Sequence, residues 1–197
     1  MELQISPFSP YASPRPVKTL VCALANPSDP ASIVCVAGGE DCMIRLWVVD
    51  PATQKFKLEK TLQGHVREVT SLLYNGGAVW STSVDATVRI WDLGEGDCKH
   101  VVTSSDGTGA GGGGGGGQGG GQGSQQQQGQ GHSQAVTCST GVTLNNEFYA
   151  LTGSLDATVK AWDSSANLQI TEGHGQGVYA LETVVDAGGN TLLIVGE

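Results

Sequence analysis

Three stretches of the chain carry nearly the same string: Glu40 to Trp47 reads EDCMIRLW, Val84 to Asp92 reads VDATVRIWD, and Leu155 to Asp163 reads LDATVKAWD. Each places an Asp six residues ahead of a Trp, as Asp41 and Trp47, Asp85 and Trp91, Asp156 and Trp162. A chain that repeats itself in this way folds as stacked copies of one unit, because a single short unit cannot bury its own apolar face. Trp47 and Trp91 stand 44 residues apart, whereas Trp91 and Trp162 stand 71 apart, so an insertion interrupts a regular array. A Gly-His pair recurs as well, at Gly64-His65, Gly131-His132 and Gly173-His174. The repeating unit is about 40 to 45 residues long.

The insertion is read as Asp106 to Gln134, where 15 of the chain's 30 glycines and seven glutamines lie between Gly107 and Gly131. Gly and Gln in that proportion bury little apolar surface, so a flexible loop is expected over 106–134, with Gln-driven self-association as its one hazard. A phosphate-binding loop is excluded, since GK[ST] is absent and neither Lys nor Arg occurs between Lys99 and Lys160. What remains is enough for one domain with an apolar interior. Residues 1–16 read as a disordered Pro/Ser-rich tail, in which Ser6, Ser9 and Ser13 each precede a proline and are candidate phosphorylation sites.

Inside a unit the apolar residues alternate, as in Val69 to Leu73, Ala78 to Ser81 and Thr87 to Trp91, which is the period of strands. Asn75-Gly76-Gly77 and Val84-Asp85-Ala86 are short enough for tight hairpins, and Lys99 to Thr103 supplies a fourth strand. The fold class is therefore all-β, built from antiparallel four-stranded meanders over residues 17–197. The units run at about 17–62, 63–105, 131–171 and 172–197, and the last holds Val178 to Leu181 and Leu192 to Val195 but no third or fourth strand.

The Gly-His pairs and the strings SVDATVRIWD and TGSLDATVKAWD resemble the WD-repeat family of β-propellers. The resemblance implies an incomplete arc of about three and a half four-stranded blades. It also implies two hydrogen-bonded sets, His65, Ser81, Asp85, Trp91 and His132, Thr152, Asp156, Trp162. In each, a buried carboxylate would accept from the imidazole and the hydroxyl would link imidazole to indole. A His, a Ser and an Asp together also suggest a hydrolase triad. The trio recurs from unit to unit, however, includes a Trp where substrate would sit, and lacks a GxSxG elbow, so the structural reading is preferred. The first unit keeps Asp41 and Trp47 but has Ala37 in place of the hydroxyl, and is expected to be held by packing alone; the last keeps only His174. By the family pattern the partner-contacting positions lie one and three residues after His and one before Asp, which are Val66, Glu68 and Val84, then Ser133, Ala135 and Leu155.

The implied function is a non-catalytic protein–protein interaction scaffold with no cofactor. Within the family, the segments around 135–163 and 173–197 are similar to the propeller of plant and algal proteins that join CCCH zinc fingers to WD repeats, which sets an RNA-associated function as the alternative. No Cys and His spacing of such a finger is present, and Cys98-Lys99-His100 has no second ligand pair, so no metal is expected. The net charge of −9 opposes phosphate binding, and no apolar run reaches the roughly 18 residues of a membrane span. Five irregularly spaced cysteines argue against a disulfide framework and for a reducing compartment, the cytoplasm or nucleus. Because three and a half blades cannot close a ring, the open ends are expected either to mark a piece of a larger protein or to drive self-association.

Overall fold

The structure, a computed structural model, describes residues 15–26, 28, 32–50, 52–53, 55–104 and 125–197. Every regular element in it is a strand. The first blade is formed by β1 (Val17–Leu24), β2 (Ile33–Gly39), β3 (Met43–Asp50) and β4 (Lys55–Gln63), hydrogen-bonded in chain order. The second comprises β5 (Val69–Asn75), β6 (Ala78–Ser83), β7 (Val88–Asp92) and β8 (Cys98–Thr103), followed by a short β9 (Gln125–Gln128). The third is β10 (Val136–Leu144), β11 (Glu147–Ser154), β12 (Thr158–Asp163) and β13 (Leu168–Gly173). A two-stranded sheet, β14 (Ala180–Val185) and β15 (Thr191–Gly196), follows it.

The repeat in the sequence becomes a repeat in the backbone. The residue after each Asp takes the left-handed conformation, with φ of 65° at Cys42, 65° at Ala86 and 60° at Ala157. The pairing register shifts at the same place in each third strand, between Leu46 and Trp47, Ile90 and Trp91, and Ala161 and Trp162. Such bulges increase local twist and re-aim the side chain, here the Trp.

Blades pack face to face in sequence. Val34, Val36, Ile44, Leu46 and Leu62 of the first blade meet Val69, Leu72, Val79 and Trp91 of the second. Trp80, Val88, Ile90 and Val102 of the second meet Val136, Ala150, Trp162 and Ala166 of the third or its turns. Val159 of the third meets Val178 and Leu181 of the last sheet. Polar ties reinforce the seams: Thr70 Oγ1 donates to the Val136 carbonyl at 2.7 Å, Thr137 Oγ1 donates to the Val178 carbonyl, and Lys60 Nζ donates to the Leu93 carbonyl at 2.8 Å.

Three expectations are corrected. Residues 125–128 are not loop: they form β9, which pairs in parallel with His100 to Thr103. The outer edge of β8 offers unpaired backbone groups, and a proline-free run returning past that edge to start the third blade can satisfy them. The rest of the expected loop from 106 to 124 lies outside the described residues, as do the candidate phosphorylation sites Ser6, Ser9 and Ser13. Cys22 and Cys35 are joined as a disulfide, because the β1–β2 register sets them directly opposite each other with Cα atoms 4.2 Å apart. The first blade does not rely on packing alone: Arg45 Nη1 lies 2.6 Å from Asp41 Oδ2, and Asp41 Oδ1 accepts from the Met43 amide, so a guanidinium engages the carboxylate in a blade without imidazole.

Candidate functional site

The second and third blades each open with a Gly-His pair whose glycine is sterically required, whereas a Cβ at Gly173 would meet nothing within 4 Å. A Cβ at Gly64 would lie 2.7 Å from the Arg89 guanidinium and 2.9 Å from the Trp91 ring, and one at Gly131 would lie 2.3 Å from the Thr103 backbone. The chain therefore runs close against the outer strands, which aims the next side chain, His, into the blade. In the second blade His65 Nδ1 is 2.9 Å from Asp85 Oδ2 and its Nε2 is 2.7 Å from Ser81 Oγ, while Trp91 Nε1 donates to Ser81 Oγ at 2.8 Å. In the third blade the same distances are 3.0 Å from His132 to Asp156, 2.9 Å from His132 to Thr152, and 2.9 Å from Trp162 to Thr152.

Both imidazole side chains are fully enclosed. Burial pushes His65 below the ordinary histidine range against the opposing influence of Asp85, which favours a neutral ring. One assignment of protons satisfies every atom: Trp91 N–H donates to Ser81, the Ser81 hydroxyl donates to Nε2, and Nδ1–H donates to Asp85. Burial alone would raise the Asp85 carboxyl, but hydrogen bonds from His65 and from the Thr87 hydroxyl and amide outweigh it and hold the group well below the usual carboxylate range. Asp156 is lowered in the same way, against burial, by His132 and by the Thr158 hydroxyl.

The site is larger than four residues. Thr87 Oγ1 donates to Asp85 Oδ1 at 2.6 Å and Thr158 Oγ1 to Asp156 Oδ1 at 2.6 Å. Ser83 Oγ accepts from the Asp85 amide and donates to the Arg67 carbonyl, as Ser154 Oγ accepts from the Asp156 amide and donates to the Gln134 carbonyl. Sequence reasoning passed over these four hydroxyls, although the identical Ser-x-Asp-Ala-Thr order in both units was a visible signal. They close the turn and hold Ala86 and Ala157 at positive φ, a conformation that costs energy outside glycine.

Chemically the arrangement is closed. Ser81 is fully buried, and its oxygen is already engaged by Trp91 and His65, so there is no open position from which it could attack a substrate. Among the described residues no three of His, Cys, Asp and Glu converge as metal ligands. Asp41 and Trp47 sit in the first blade without a histidine beside them. His174 instead places Nδ1 3.1 Å from Glu197 Oε1, and its amide donates to the Ala157 carbonyl.

The six candidate contact residues divide. Val66 is 78% exposed and Ser133 is also exposed. Glu68, Val84, Ala135 and Leu155 are half-buried. The backbone explains this, since the Val84 amide donates to the Glu68 carbonyl and the Leu155 amide to the Ala135 carbonyl. Leu155 also lies against Gly177, just ahead of β14, where an added Cβ would be 3.1 Å from its Cδ2. The apolar residue at this turn thus has a neighbour inside the protein.

The description "WD domain, G-beta repeat" matches residues 15–48, 56–92 and 123–163, more than half of the chain. The chain belongs to the WD-repeat family. Relatives carrying similar repeats include "Cell division control protein 4" of Saccharomyces cerevisiae, 40% identical over 37% of this chain and 9% of that protein. "Protein transport protein sec13" of Neurospora crassa is 35% identical over 41% of this chain and 30% of that protein. "Mitochondrial division protein 1" of Eremothecium gossypii is 25% identical over 75% of this chain and 20% of that protein. This WD-repeat chain therefore spans less than a third of each of those relatives. Among solved structures, the computationally designed Ika4 protein superposes with a TM-score of 0.61 at 21% identity, covering 95% of both chains, which is a likeness of fold. No helix long and apolar enough to cross a membrane occurs among the described residues.

Proposed function

We propose that this WD-repeat chain is a non-catalytic protein-interaction scaffold, with the hydrogen-bonded sets as its frame and the residues beside them as its contact surface. The observation that carries the reading is the contrast between neighbours. His65 and Ser81 are buried and saturated with partners, whereas Val66, adjacent to His65, is 78% exposed. A rigid turn that presents an apolar side chain to solvent is an arrangement for docking another protein. Val66 and Ser133 are the exposed members of this surface, and Glu68, Val84, Ala135 and Leu155 its half-buried members. Family membership supports the same class of function.

The test is capture of binding partners from a lysate by the chain and by a Val66→Glu, Ser133→Glu variant with unchanged melting. Loss of specific partners in the variant is expected; an identical capture profile would place the contact surface elsewhere. The alternative, an RNA-associated propeller from a CCCH zinc-finger protein, predicts a salt-dependent RNA mobility shift, which the net charge of −9 opposes.

A further inference from the structure

We infer that a second copy of this chain docks head to tail on the first, with the leading face of its first blade seated on the trailing face of β14–β15. Two of the three internal seams share one contact. At the first seam, a Cβ added to Gly38 would lie 3.0 Å from Val69 Cβ. At the third seam, one added to Gly153 would lie 3.1 Å from Val178 Cβ. At these two seams a residue without a side chain on the second strand of one blade thus receives the valine that opens the next, while Thr82 holds that place at the second seam. Val69 and Val178 are completely buried by this contact and the packing around it.

Both halves of the same seam stand open at the ends of the chain. Val17 holds the position of Val69 and Leu20 that of Leu72, since each pair lies at the same distance from the register shift in its first strand. Val17 is 56% exposed and Leu20 63%, while Val69 and Leu72 are 0% and 5%. At the other end, the pairing of Ala180 with Gly196 matches that of Thr19 with Gly38, so Gly196 holds the place of Gly38. Counting back along β15, Ile194 and Leu192 correspond to Val36 and Val34. Ile194 and Leu192 are 55% and 48% exposed, whereas Val36 and Val34 are 1% and 7%. The trailing end thus offers the receiving glycine and its flanking aliphatics, and the leading end offers the valine and leucine that such a surface takes.

One residue works against the contact. Glu182 pairs with Ile194 as Val21 pairs with Val36, so a carboxylate occupies the middle of the trailing face and weakens its association. A heterologous contact of this kind closes when its rotation returns to the start. Each copy contributes three blades and the two-stranded β14–β15 sheet, and the resulting eight sheets lie within the range of about 4 to 8 blades at which propellers close, so the expected product is a discrete dimer and not a filament.

The test mixes a Val17→Cys chain with a Gly196→Cys chain under mild oxidation, against each alone and against the unsubstituted chain, with sedimentation velocity of the unsubstituted chain from about 1 to 100 μM. The internal seams bring the corresponding Cβ atoms close enough for a disulfide. Dimer-sized cross-linked product is therefore expected from the mixture and not from either chain alone, alongside a monomer–dimer equilibrium for the unsubstituted chain. Glu182→Leu is expected to tighten that equilibrium by about tenfold or more. A chain that stays monomeric throughout overturns the proposal. Aggregation without the cross-link, or a Glu182→Leu dimer no tighter than the parent, overturns it as well.

Discussion

Replacing Asp85 with Ala removes the carboxylate that accepts from four donors: the ring N–H of His65, the backbone amides of Val66 and Thr87, and the Thr87 hydroxyl. They are not equally costly. The Thr87 hydroxyl is half-buried and Val66 is at the surface, so water can replace part of what they lose. The His65 side chain is fully enclosed, and its ring N–H is left with only the longer contact to the Thr87 hydroxyl at 3.2 Å. An orphaned buried donor costs about 1 to 3 kcal/mol, and loss of the clamp on the left-handed Ala86 adds to it, so the expected destabilisation is roughly 2 to 4 kcal/mol. At about 2 to 4 °C per kcal/mol for a chain of this size, the melting temperature should fall by roughly 5 to 15 °C. The assay is a thermal melt followed by tryptophan fluorescence, at one fixed protein concentration because self-association shifts the midpoint. Asp85→Asn should be milder but not silent. Its amide oxygen still serves Thr87, but its NH2 faces His65 Nδ1 and forces the other tautomer, which leaves the Ser81 hydroxyl proton without its imidazole acceptor. A melting temperature for Asp85→Ala within about 1 °C of the parent would refute the claim that this network holds the blade together.

Smaller versions of the same effect, about 1 to 3 kcal/mol, are expected for His132→Ala and Asp156→Ala in the third blade, read by urea denaturation. Stability should also fall on acidification. His65 is lowered in the fold, so below about pH 6.5 the unfolded chain takes up a proton that the folded chain resists. Asp85 and Asp156 are lowered as well, so a further loss begins below about pH 4; a flat melting temperature from pH 7 to 3 would contradict this. Leu155→Glu should destabilise by about 1 kcal/mol or more because it sets a carboxylate in a half-buried apolar contact with Gly177, whereas Val66→Glu should leave the melting temperature within about 1 °C and act only on partner capture. Excising Gly111 to Gly117 should change stability by only a few tenths of a kcal/mol, by about the logarithmic dependence of loop closure on length. Extending the cut to Ser133 removes β9 and His132, and should unfold the third blade's entry by circular dichroism.

The parts of this protein legible in its sequence are those that depend on neighbours along the chain. Alternating apolar residues set the strands, the Asp-to-Trp interval of six set the hairpin between β6 and β7 and its counterparts, and identical strings implied identical blades, because all of these act over a few residues. The His-to-Asp pairings across 20 and 24 residues were readable only because the set repeats. What depends on register or on a neighbouring blade was decided by the tertiary structure. Cys22 and Cys35 face each other only once β1 and β2 pair in one alignment, and Gln125 to Gln128 become a strand only because the edge of β8 is within reach. Leu155 is half-buried because Gly177, on the approach to β14, comes against it. The reason is common to all three. A strand's own residues specify that it is a strand and which face is apolar, but the partner of an edge, of a turn or of an outer face is a long-range choice, settled by which surfaces the packed blades bring into contact.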